Sequence, residues 1–581
     1  MSAQHDAHHS PSFVGKYIFS QDHKIIGIQF LFVSLAFMIL GGFLAMLVRW
    51  QLGFPDREIP LANVLPTAWN PADPAQYNQI FTMHASIMIF LVIIPILTGA
   101  FGNFLVPLMI GARDMAFPKL NMLSFWVGLV GGSVIASSFF VEGGTAATGW
   151  TAYPPLSADP QYTGVALGQT LWIVGVLLVG TASIMGAVNY ITTIVNMRAP
   201  GMYFFRMPLS VWALFITAIL QLMATPVLAS ALGMLLFDRT LGTHFFNPAG
   251  GGQVLLWQHL FWFYSHPAVY IMILPAMGFV SDILSTFSRK PIFGYKAMVF
   301  SIMGIAGLGF IVWGHHMFQS GMNPSLGTAF MISTMVIAVP SAIKTFNWLG
   351  TLWGGAIRFT PAMLHAMAFV STFIIGGLSG IFMASTPVDM FIHDTYFIVA
   401  HLHYVLFGGS LFGVFAAINF WYPKMFGRML NPTINTIHAV LTFIFFNLTF
   451  FPMHILGMGG HMRRIYDPTL YEFLKPLQPM NEFISINAFI LGGVQILFAA
   501  NFIFSLFWGK KAERNPWHAN SLEWSAASPP PHGNWGEKVP TVYRGPFEYS
   551  PPGMTEDYLP QDRPAVGAPT PGRTVMTPAR P

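Results

Sequence analysis

The stretch His393-Asp394-Thr395-Tyr396-Phe397-Ile398-Val399-Ala400-His401-Leu402-His403-Tyr404 places two imidazoles two positions apart inside an apolar run. An α-helix turns about 100° per residue, so His401 and His403 leave it on roughly opposite faces. One helix can then hand an axial ligand to each of two haems on its two sides, which is a device for electron transfer. The plainer reading makes both rings polar core residues bonded to neighbours. Histidine pairs at membrane depth are rarer than lone ones.

The surroundings decide the fold class. Of 581 residues, 54% are hydrophobic and 8% charged, with a mean hydropathy of +0.57, a composition no soluble domain of this length carries. The expectation is an all-α, polytopic membrane protein. With about 20 residues per span, twelve transmembrane helices fall near 25–49, 81–110, 122–141, 166–195, 208–237, 253–283, 296–318, 327–350, 361–385, 396–421, 433–456 and 483–508. Alternate connections carry most of the positive charge: Lys16 and Lys24, Arg113 and Lys119, Arg198 and Arg206, Arg289, Lys290 and Lys296, Arg358, Lys424 and Arg428, then Lys510, Lys511 and Arg514. The opposite loops hold Arg49, Arg57, Arg239, Arg463, Arg464 and Lys475. The positive-inside rule therefore puts both termini in the cytoplasm. The net charge of +5 reflects that asymmetry and calls for no nucleic acid.

Three regions follow: a polar N-terminal segment (1–24), a twelve-helix domain (25–510) and a Pro-rich cytoplasmic tail (511–581). The first carries His5, His8 and His9 and no signal-peptide pattern. The tail, with Pro529-Pro530-Pro531 and a run ending at Pro581, reads as extended or disordered on the cytoplasmic face or a partner subunit. No long internal repeat is visible, which counts against a transporter of two halves.

With zero cysteines, any metal must be held by imidazole, carboxylate or thioether. His84 lies about a turn inside helix two. If it faces His403 across a porphyrin, that iron is six-coordinate and low-spin, and His401 holds a second iron with an open position. Helix six contains Trp262-Phe263-Tyr264-Ser265-His266-Pro267-Ala268-Val269-Tyr270, where His266 and Tyr270 share one face. Trp313-Gly314-His315-His316 lies within helix seven, where both rings can reach one metal only if the helix is locally distorted or the metal lies between their directions. Three imidazoles without thiolate suit copper. The bland alternative for each ring is a satisfied core histidine.

Helix eight carries Ser333, Thr334, Ser341, Lys344 and Thr345; the ammonium either snorkels to the interface or belongs to a proton path. Asp114, with the amides of Asn103, Asn121 and Asn189, reads either as turn and cap chemistry or as a wet proton entrance. Arg49 is a snorkelling arginine or a donor to a polar haem substituent, and Arg463-Arg464 a solvated loop pair or a clamp for haem propionates.

Assembled, these motifs resemble subunit I of the haem-copper terminal oxidases, closest to the cytochrome c oxidase type, over about residues 12–535, including Leu522-Glu523-Trp524 and Ser528-Pro529-Pro530-Pro531. The resemblance implies four-electron reduction of O2 to water, coupled to proton uptake and pumping, in a bacterial-type inner membrane. It implies two haems of type a and one copper, copper B. By it His84 and His403 match the low-spin haem ligands, and His401 the ligand of the oxygen-binding haem. His266, His315 and His316 match the copper ligands, and Tyr270 a tyrosine joined to the copper histidine four residues earlier. Arg49, Arg463 and Arg464, with Trp262, fall on the cofactor side, and His393 and Asp394 on a magnesium or manganese site completed by subunit II. Ser341 and Lys344 match one proton path, and Asp114, Asn103, Asn121 and Asn189 the entrance of another. Implied partners are subunit II with copper A, subunit III, cytochrome c as donor, and O2.

One departure stands out. The common pattern has Glu two residues after the helix-six histidine, and this chain has Ala268; Tyr264, one turn below, and Ser265 offer hydroxyls instead, as in a recognised subgroup. A quinol oxidase is the alternative within the family, but Leu40, Leu44 and Gln76 stand where its quinol-oxidising members carry polar residues. A nitric oxide reductase lacks the tyrosine at 270. A twelve-helix secondary transporter leaves six membrane histidines unexplained.

Overall fold

Caps and prolines set where the helices begin. Asp22 and Asp73 each accept backbone N–H bonds at a helix start, Thr360, Thr395 and Asn431 do the same, and Pro74, Pro361 and Pro432 take first-turn positions. Within a bilayer only self-satisfied backbone can span, so long uninterrupted helices result. The computed structural model describes residues 12–60, 69–536 and 538–564; His5, His8, His9 and the chain from 565 to Pro581 lie outside these.

Among the described residues, eleven helices are long and apolar enough to cross a membrane: α1 His23–Gly53, α2 Pro74–Ile110, α3 Pro118–Phe140, α4 Leu167–Asn196, α5 Leu209–Thr240, α6 Val254–Ser288, α8 Pro324–Leu352, α9 Pro361–Ala384, α10 Tyr396–Phe426, α11 Pro432–Met458 and α12 Glu472–Trp508. Between α6 and α8 lies the shorter α7, Tyr295–Gly309. No strand occurs among the described residues, only three isolated bridges. The bundle is all-helical and polytopic. α6 is its central post, with 89% of its apolar window buried inside the protein.

Over the expected seventh span, 296–318, the helix is not continuous. α7 has 15 residues, about 22 Å of helix, short of a hydrocarbon core of about 30 Å. The chain then unwinds and re-forms as a 3-10 turn over Trp313–Met317. Irregular backbone at that depth is tolerated because protein surrounds it. The unwinding also frees His315 and His316 from the fixed offset of an α-helix.

Two helices widen just past a histidine. α2 is wound with π-type bonds over Ile87–Ile93 and Pro95–Gly102, directly after His84, and α10 over Leu406–Leu411, directly after His403. Such wide turns collect at functional sites.

The Pro-rich tail is irregular but not loose over 511–536 and 538–564. Leu522, Glu523, Trp524, Asn534, Val542, Tyr549 and Gln561 are buried. Asp557 pairs with Arg289 and Arg358, each at 2.8 Å, and Lys424 Nζ donates to the Ala526 carbonyl at 2.7 Å. The reason is charge: cations at this end of the bundle find tail carboxylates and carbonyls. The foot of α1 meets the tail at Asn534, so both ends of the described chain share one end of the bundle.

Candidate functional site

The α10 capping threonine starts the helix so that His401 and His403 fall inside the bundle, on different faces. His403 and His84 face each other with ring planes 5° apart and centres 6.4 Å apart. A metal about 2 Å from one nitrogen of each ring separates two such centres by roughly 6 Å. Each ring is oriented by its other nitrogen: His84 Nδ1 meets the Gly41 carbonyl at 2.8 Å and His403 Nδ1 the Val399 carbonyl at 2.8 Å. A carbonyl can only accept, so Nδ1 carries the proton and Nε2 keeps its lone pair. Phe450 stacks on His403 at 4.3 Å.

His401 is held the same way. Its Nδ1 lies 2.9 Å from the Gly376 carbonyl and 3.0 Å from Ser379 Oγ. Gly380 lets the ring approach α9; a Cβ there would stand 3.1 Å from His401 Cε1. His401 also comes close enough to act electrostatically on His315 and His316.

Those two rings, with His266, make the one group of three metal-type ligands among the described residues, their ligand atoms within 4.8 Å of one another. His266 Nδ1 is 3.1 Å and His315 Nε2 3.0 Å from His316 Nε2. Thr334 meets His315 Nδ1 at 3.0 Å. Neutral imidazole lone pairs converging this closely repel unless a cation or proton sits among them, so the donor set fits copper. Trp262 lies flat on His316 at 3.8 Å and donates to the Tyr153 hydroxyl at 2.5 Å. Burial pushes that hydroxyl up to about 12. Tyr270 stands edge-on to His266, ring centres 4.8 Å apart, and His266 Nε2 is buried without a hydrogen-bond partner.

Guanidinium groups cluster beyond the His84–His403 pair. Arg49 is buried, donating from Nη2 to Ser485 Oγ at 2.8 Å and to the Asn481 carbonyl at 3.0 Å, beside Tyr396 and Tyr77. Arg463 is taken by Asp394, with Nε 2.6 Å from Oδ1. Arg464 has no carboxylate in ion-pair range among the described residues; partial desolvation, with Arg463 alongside, pulls it down to about 10, while the side chain stays open to the surface of this subunit. A guanidinium in that state suits an anionic ligand such as a propionate.

His393 and Asp394 are brought together only in part. His393 Nδ1 faces Asp389 at 3.2 Å, and Nε2 is 3.9 Å from Asp394 Oδ2. Burial alone would raise the Asp394 carboxyl, but Arg463, His393 and Arg464 hold it below its usual value. By themselves these residues are too few for a hard cation, which takes six or more oxygens.

The expected proton groups fall into two places. Lys344 is fully buried, its ammonium without a hydrogen-bond partner and 5.3 Å from the Trp348 ring; Ser341, a turn earlier, bonds the Ile337 carbonyl. Asp114 is half-buried, its carboxyl pushed up by burial and partly offset by His23. Asn189 clasps the Phe117 backbone through both amide atoms. Asn103 Oδ1 and Asn121 Nδ2 have no partner. Asn103 lines a cavity of about 70 Å³ with Ser34, Thr98, Ser124, Ser183 and Tyr190. A void of about 10 Å³ shares Phe90, Ile94, Val179 and Ser183 with it and reaches Tyr264. Ser265 Oγ is buried and unpaired.

Sequence reasoning missed Tyr153, Gly376, Ser379, Asp389 and the cavity hydroxyls. All but Asp389 lie far along the chain from their partners; Asp389 stands four positions before His393, a spacing that could have found it. Thr334 also had a signal, as a polar position in an apolar span.

Residues 25–513 match the family described as cytochrome c and quinol oxidase polypeptide I. The chain belongs to this family. It is 50% identical over 533 residues to cytochrome c oxidase subunit 1 of Synechocystis sp., covering 92% of each chain. It is 47% identical over 535 residues to that of Thermostichus vulcanus, again covering 92% of each. With the alternative cytochrome c oxidase subunit 1 of Bradyrhizobium diazoefficiens it shares 43% over 571 residues, covering 96% of this chain and 95% of the relative. A haem-copper terminal oxidase dimer solved by cryo-electron microscopy has the same fold, with TM-score 0.68 at 19% identity over 84% of this chain and 85% of its own. The chain is thus the catalytic subunit of a respiratory oxidase, and haems and copper are its cofactors.

Proposed function

We propose that this subunit takes electrons from cytochrome c and reduces O2 to water at a centre held by His401, His266, His315 and His316. His84 and His403 would hold the electron-transferring haem. Bound, the two haem irons and copper supply electron transfer and the four-electron reduction of O2. The parallel His84–His403 pair, whose His403 shares α10 with His401, is the observation that carries this reading.

The chain's own residues do the rest. Carbonyls of Gly41, Val399 and Gly376 fix the three haem-side rings, so each ligand lone pair is aimed before any metal binds. Arg49, Arg463 and Arg464 suit propionates, and Trp262 steadies His316. Tyr270, edge-on to His266, would give a proton and an electron to the oxygen site; joining it to the unpaired His266 Nε2 would replace a ring C–H and the N–H, with two protons released and two electrons passed to O2. Lys344 and Ser341 serve one proton path. Asp114, Asn103 and Asn121 would open the other, whose cavity has room for several waters and leads towards Tyr264, which with its neighbour Ser265 would stand in for the absent carboxylate at Ala268. Asn189 holds the turn of that entrance. His393 and Asp394, with Asp389, suit magnesium or manganese once subunit II adds oxygen ligands. Twelve crossings of a bacterial inner membrane, the seventh made by α7 together with the 3-10 turn after it, with both termini cytoplasmic, and contacts with subunits II and III complete the proposal.

Oxygen uptake by the purified complex with reduced cytochrome c against quinol tests the donor. Faster uptake with quinol overturns it. Pyridine haemochrome spectra decide the haem type, with type a expected.

A further inference from the structure

The structure pairs the carboxy-terminal strap with the Asp114 turn in a way that the reaction as described does not use. Asn534 is 1% exposed and has φ +69°. Its Oδ1 accepts from Lys24 Nζ at 3.0 Å, and its Nδ2 donates to the Ala112 carbonyl at 2.9 Å and the Arg113 carbonyl at 3.3 Å. One amide therefore ties the foot of α1 to the two residues before Asp114. Two positions earlier, His532 Nδ1 lies 3.0 Å from Asp22, which also pairs with Lys24 at 3.0 Å.

His23 completes the connection inward. Its Nδ1 stands 2.7 Å from the Asn103 backbone carbonyl, which can only accept, so Nδ1 carries a proton. Its Nε2 lies 3.0 Å from Asn534 Nδ2 and 3.1 Å from Oδ1. A neutral ring accepts from the first and a charged ring donates to the second, so the Asn534 amide serves His23 in either state. Asn103 in turn lines the cavity that leads towards Tyr264. The strap, the foot of α1, the Asp114 turn and the cavity are one hydrogen-bonded body.

We propose that His532–Asn534 of the carboxy-terminal strap is the outer lip of the Asp114 proton entrance, with Asn534 a positioning residue that sets the Asp114 turn against the foot of α1. This rests on the reading of Asp114 as an entrance. The subunit's own tail, rather than a separate partner, then builds the mouth through which protons reach the cavity. Glycine is the discriminating substitution because it keeps a positive φ without strain while removing the amide.

The test uses the purified complex in vesicles, with proton uptake during a single round of O2 reduction followed by a pH-sensitive dye. Asp114→Asn and Asn534→Gly are each expected to slow uptake, the latter several-fold. Haem spectra, electron transfer between the haems and KM for cytochrome c are expected to stay unchanged, which a general structural defect would not allow. Normal uptake in Asn534→Gly beside slow uptake in Asp114→Asn overturns the lip and leaves the entrance standing. Normal uptake in Asp114→Asn overturns the entrance and the lip with it. If Asn534→Gly fails to assemble, Asn534→Asp, which keeps the acceptor for Lys24 but loses the donors to Ala112 and Arg113, is read by the same two outcomes.

Discussion

The haem-side histidines and the proton-side polar groups are built on opposite plans. Around the metals, the outward nitrogens of His84, His401, His403 and His315 are each fixed by a carbonyl or hydroxyl at 2.8–3.0 Å. Along the two proposed proton routes, Asn103 Oδ1, Asn121 Nδ2, Ser265 Oγ and Lys344 Nζ bond to no protein atom. An unpaired buried polar atom costs about 1–3 kcal/mol, so a row of them is retained only where something else binds them. A metal ligand must be rigid to hold one geometry, whereas a proton carrier must exchange partners, and one bundle supplies both by choosing where side chains meet backbone.

That contrast can be broken at several points. Replacing a ligand is the severest. His403→Ala should abolish the low-spin haem signal in the reduced-minus-oxidised spectrum and lower oxygen consumption by on the order of 100-fold or more; an intact low-spin band would remove His403 from the ligand set. Next comes Lys344→Met, which deletes an ammonium with no protein partner. Loss of a positioned proton carrier predicts a fall in turnover of roughly 100-fold with both haem spectra unaltered, and normal turnover would show that Lys344 carries no protons.

Tyr264→Phe removes only a hydroxyl. It should cut turnover roughly 10-fold or more and lower the protons released per electron in vesicles, while a variant that respires and pumps normally would mean that protons pass elsewhere. Thr334→Val leaves every ligand in place but frees His315 Nδ1, so copper content after dialysis should drop by about 10-fold relative to iron. Equal copper retention would mean that Thr334 does not orient the ring.

The smallest effect concerns acid. Burial opposes ionisation of Asp22, but His23, Lys24 and His532 outweigh it and draw the carboxyl from 3.8 down to about 2. A folded value below the unfolded one gives stability that is complete above about pH 4 and lost as pH falls through 2, worth about 2 kcal/mol. Hydrogen exchange at residues 532–536 should therefore be flat from neutral pH to about 4 and accelerate, after correction for intrinsic rates, only below it; acceleration already at pH 6 would show that the Asp22 carboxylate does not hold the strap.

Much of the molecule is legible along the chain alone. Paired histidines, their spacing and the absence of cysteine are local facts of composition, and an apolar chain in a bilayer has few options besides helices. The span at 296–318 is misleading because hydropathy responds to side chains and not to winding: Trp313, Met317 and Phe318 read as helix while the backbone turns as 3-10. The tail misleads for the converse reason, since its prolines forbid regular structure without forbidding burial.

The sequence by itself determined the helical, membrane-spanning class and nominated the imidazoles, because periodicity and residue chemistry are written along the chain. Only the tertiary structure decided that His84 meets the Gly41 carbonyl, that His401 meets the Gly376 carbonyl, and that Asn534 reaches the Asp114 turn from more than 400 positions away. Those are contacts between distant segments, set by how helices pack and where a strap returns, and no local pattern encodes them.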